Sequence, residues 1–124
     1  MTTEEYAEQV RALVRSVKAA RDMYEDDYRL RGAYDDLADG AAERCLTVGR
    51  VYEHSPSVQG FERADALQSV IECRKEALDI PAYLTQIAHH LGADTDPDVR
   101  AGIEHAAMLL VILDRLAERI GDRG

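Results

Sequence analysis

From Asp96 to Ile120 the chain reads DPDVRAGIEHAAMLLVILDRLAERI, a helix with its start signal attached. Asp96 is an N-cap, Pro97 stands at the first helical position where its missing N–H costs nothing, and Asp98 puts an acid in the first turn. Val99, Ile103, Ala106, Leu110, Leu113, Ala117 and Ile120 then recur at steps of three and four, which is one apolar seam. Between Ala106 and Leu113 the chain is apolar all round. A helix without a polar side is surrounded by protein, and a small bundle rarely encloses one of its own members. A dimer or tetramer with this helix near the interface is therefore expected.

Working back towards the N-terminus, the same periodicity recurs and no stretch alternates as a strand. A helix over about 62–91 carries Ala66, Val70, Cys73, Ala77, Ile80, Leu84, Ile87 and Leu91 on one stripe, with Gly92 as its stop and a kink expected at Pro81. Residues 53–60 read as a loop. A helix over about 33–52 has the seam Tyr34, Ala38, Ala41, Cys45, Val48, Tyr52, with Gly40 inside it. A helix over about 3–31 starts at Thr2, which has capping-box spacing to Glu5. Its seam is Tyr6, Val10, Leu13, Val17, Ala20, Tyr24. The fold class read from this pattern is all-α: a single domain, 1–124, forming an antiparallel four-helix bundle.

The chain has 124 residues, 24 acids against 15 bases and a net charge of −9. No basic surplus exists to displace counterions, so no stable nucleic-acid binding is expected. No apolar run reaches the length of a membrane span. The N-terminus lacks the basic start and apolar stretch of a secretion signal, and a cytoplasmic location is the expectation. Cys45 and Cys73 both fall on apolar helix positions and are expected as buried free thiols.

The chemistry-bearing residues are carboxylates. Glu72, Glu76, Asp79 and Tyr83 step by four, three and four, so their side chains fall within about 60° of arc. Like charges at this spacing repel. Lys75 can reach Glu72 and Asp79, whereas Glu76 has no cation three or four residues away. Such a set at the edge of an apolar stripe suits Mg²⁺, which takes hard oxygen ligands and shares them with substrate phosphates. On the preceding helix Asp36, Asp39 and Glu43 also share a face. If the two helices pack antiparallel, the two faces could converge on two metal ions, as phosphoanhydride cleavage can use.

Glu76-Ala77-Leu78-Asp79 followed by Ile80-Pro81-Ala82-Tyr83-Leu84 resembles the ExxD helix of the all-α nucleotide pyrophosphohydrolases, the MazG-like superfamily. Asp35-Asp36-Leu37-Ala38-Asp39 resembles its EExxE motif with every Glu replaced by Asp. The resemblance implies a helical dimer or tetramer in which Mg²⁺ is held by carboxylates of these two motifs; with Glu72 added by its spacing, the expected ligands are Glu72, Glu76, Asp79, Asp36 and Asp39. It implies Glu76 and Asp79 as the catalytic pair, and hydrolysis of a nucleoside triphosphate or related nucleotide to monophosphate and pyrophosphate. Arg50 and Arg63 are candidates for contacting phosphates, and Tyr83 for stacking a base. The competing expectation is a non-catalytic helical interaction or oligomerisation protein. A ribonuclease of the HEPN type is a further alternative, on the spacing of Arg100 and His105.

Overall fold

The computed structural model describes residues 1–21, 27–47, 66–92 and 96–123. Among these the chain forms four helices and no strand: α1 Thr3–Ala20, α2 Tyr28–Thr47, α3 Ala66–Leu91 and α4 Pro97–Arg123. Contacts divide it into two compact units, Met1–Arg63 and Ala64–Gly124. No helix among the described residues is long and apolar enough to cross a membrane.

The first unit is an antiparallel pair of α1 and α2. Thr2 caps α1 through its side-chain oxygen, which accepts from the Glu5 amide at 3.1 Å. The helix ends at Ala20, eleven residues earlier than the periodicity suggested. Arg21 is extended there, and its N–H donates to the Lys18 carbonyl. In turn α2 begins at Tyr28 and runs unbroken through Gly32 and Gly40, so neither glycine is a break. The unit's core is made of small side chains. Ala38 and Ala42 are 0% exposed, and Ala7, Ala42 and Cys45 form a cluster flanked by Tyr6, Val10 and Leu46. Small residues let two helix backbones approach closely but supply little apolar area each.

The expected α2 seam is observed where it is described: Ala38 and Cys45 are buried, Tyr34 and Ala41 half-buried. Val48 and Tyr52 lie outside the described residues, as do Tyr24 and the loop 53–60. The expected α1 seam is corrected. Leu13 is 67% exposed and Val17 is exposed too, whereas Ala7, Tyr6, Val10, Arg11, Val14 and Lys18 face inward. Turned this way, α1 packs Ala7 against Ala42 and Cys45 and brings Arg11 and Lys18 to the acids of α2, which leaves Leu13 outside.

The second unit is the antiparallel pair of α3 and α4. Asp96 caps α4 as expected, its Oδ1 accepting from the amides of Asp98 at 2.9 Å and Val99 at 3.1 Å. Gly92 ends α3 with φ of 69°, the left-handed conformation that glycine adopts without strain. α3 crosses Pro81 as one helix of 26 residues, with the Thr85 hydroxyl donating to the Pro81 carbonyl. Ala77, Ala88, Val99, Ala106 and Leu113 are the buried residues between the helices. Leu84 packs on Gly102, where a Cβ would lie 2.8 Å from Leu84 Cδ1. The seam read for α4 is observed except that Ile103 is exposed, and on α3 Ala66, Cys73, Ile87 and Leu91 are exposed as well. A two-helix unit buries only a narrow strip, so residues at the margins of a stripe stay in water.

Candidate metal centre

α3 holds Glu72, Glu76, Asp79 and Tyr83 on one side of an uninterrupted helix, away from the α4 contact. Glu72 is half-buried and fixed. Its Oε1 accepts from Gln68 Nε2 at 2.8 Å and from Lys75 Nζ at 3.2 Å. Glu76 and Asp79 are exposed and make no hydrogen bond or ion pair with a described residue. Lys75, which by spacing could serve either Glu72 or Asp79, is committed to Glu72. Tyr83 stands one turn beyond Asp79 and is 64% exposed.

The acids of α2 have a different environment. Asp39 Oδ1 accepts from Arg11 Nε at 3.1 Å and from Arg15 at 3.5 Å. Asp35 accepts from Lys18 Nζ at 2.6 Å, and Arg11 also bonds Glu8. Asp36 is exposed. The ladder Arg11, Arg15, Lys18 went unread in the sequence, although its steps of four and three match the spacing of Asp35 and Asp39 and were the signal for it. The α2 and α3 acids belong to different units, and each set is described within its own. Among the described residues, no three His, Cys, Asp or Glu side chains are gathered closely enough to hold a metal ion as a group.

Of the remaining candidates, Arg50 and Arg63 lie outside the described residues. Arg100 and His105 are both exposed on α4. His89 and His90 are exposed in the last turn of α3 with ring centroids 6.0 Å apart. The cysteines split: Cys45 is buried as expected, but Cys73 is exposed, because it sits beside the α3–α4 contact instead of in it. Burial pushes the Cys45 thiol above its ordinary range, against a hydrogen bond with Tyr6 that pulls it down. Burial, reinforced by the neighbouring Cys45, likewise raises the Tyr6 hydroxyl. A thiol held protonated is a poor nucleophile.

No family model matches the chain, and no curated protein and no solved structure proved similar to it.

Proposed function

We propose that the chain is a Mg²⁺-dependent nucleotide pyrophosphohydrolase whose chemistry is centred on α3. The supporting observation is that Glu76 and Asp79, one turn apart on one helix, have no cationic partner among the described residues while the neighbouring Glu72 is already satisfied. The donor set fits the ion. Mg²⁺ takes hard oxygens, keeps several waters and commonly uses only one or two carboxylates together with substrate phosphates. Glu76 and Asp79 meet that need without a third ligand, and Glu72 holds the local charge pattern through Gln68 and Lys75. Bound there, Mg²⁺ supplies charge neutralisation on the phosphates and activation of water. The exposed Tyr83 ring offers an apolar face to a nucleobase. The reaction adds water across a phosphoanhydride, giving nucleoside monophosphate and pyrophosphate.

The test is pyrophosphate release from a panel of ribo- and deoxyribonucleoside triphosphates, with and without Mg²⁺. Glu76→Gln removes a ligand charge at nearly constant shape and should lower turnover by roughly 100-fold or more, beyond what loss of an outer-sphere partner causes. Activity unchanged in that variant would remove Glu76 from the mechanism, and no release from any triphosphate would end the reading.

A second reading, a non-catalytic helical interaction module, draws on the large apolar side chains left exposed on both units, among them Leu13, Leu37, Ile71 and Met108. The readings separate by melting temperature. A ligand of the native state raises it, so Mg²⁺ with a triphosphate should stabilise the enzyme and leave an interaction module unchanged.

A further inference from the structure

We draw no further inference here: the strongest candidate, the apolar flank of the α1–α2 pair that exposes Leu13, Val17 and Leu37 on the side away from the Arg11 and Arg15 ion pairs, is an unpartnered face, and nothing in the structure shows what covers it.

Discussion

The two helix pairs use the same small-residue seams and the same acidic spacing, yet their acids have opposite fates. In α1–α2 the carboxylates of Asp35 and Asp39 are met by Lys18, Arg11 and Arg15 from the neighbouring helix. In α3–α4 the ion pair between the helices, Arg74 with Asp114, lies on the flank away from Glu76 and Asp79. Acidic spacing by itself therefore identifies no site. What separates a structural acid from a candidate ligand is whether the packed partner supplies a cation, and that depends on the rotation of the partner helix.

Paired substitutions break this contrast most severely. Asp79→Asn should lower Mg²⁺-dependent pyrophosphate release by roughly 100-fold, as expected when a ligand charge is removed. Asp39→Asn should leave turnover within about twofold and cost only the ~0.2–1 kcal/mol of an exposed ion pair. Equal losses in the two variants would erase the distinction between the helices.

Next in size is packing. Leu113 is the largest side chain buried between α3 and α4. Leu113→Ala should lower unfolding free energy by about 2–3 kcal/mol, the low end for a buried leucine because a two-helix unit can collapse around the gap. Leu13→Ala, at an exposed position of α1, should change it by less than about 0.5 kcal/mol. Denaturant midpoints measure both. A larger effect at Leu13 would show that residue covered in solution by something other than α2.

The α1–α2 core also carries a pH signature. Cys45 and Tyr6 both have folded-state values raised above their ordinary 9.0 and 10.0. Folding therefore favours their protonated forms. That stabilisation is complete below pH 9 and is lost as pH rises through the raised values. Melting temperature should be flat from pH 7 to about 8.5 and fall above it, with Cys45→Ala flattening part of the decline. Thiol labelling gives the companion measurement: Cys73 should react fast and Cys45 only on unfolding.

How far the sequence carried can be stated helix by helix. The α4 seam, its Asp96 cap and the Gly92 stop were legible because each is a local signal, set by residues within a turn of one another. The α2 seam was legible for the same reason. The α1 seam was legible only at Tyr6 and Val10, because the face that meets α2 is fixed by non-local contacts: Ala7 against Ala42 and Cys45, and ion pairs to residues 17 to 28 positions away. Apolar periodicity is blind to a face that recruits Arg11 and Lys18. The candidate site was legible to the extent that it lies within one helix: Glu72, Glu76, Asp79 and Tyr83 share their arc by spacing alone. The fate of Asp39 was decided by α1, and so was hidden.

The smallest effects come from glycine and sharpen the contrast between the pairs. Gly40 lies inside α2 with nothing within 4 Å of where a Cβ would stand. Gly40→Ala should therefore return most of the helix-propensity difference, about 0.5–1 kcal/mol of added stability. Gly102 lies inside α4, where the same gain is opposed by Leu84 Cδ1 at 2.8 Å. That atom ends a flexible side chain, so the leucine can turn, but turning it opens the contact of Leu84 with α4. The two terms nearly cancel, and Gly102→Ala should fall within about 0.5 kcal/mol of wild type. Two alanine variants with equal gains would mean that α3 and α4 are held further apart than Leu84 and Gly102 imply. A loss of more than about 1 kcal/mol at Gly102 would mean that Leu84 has nowhere to go.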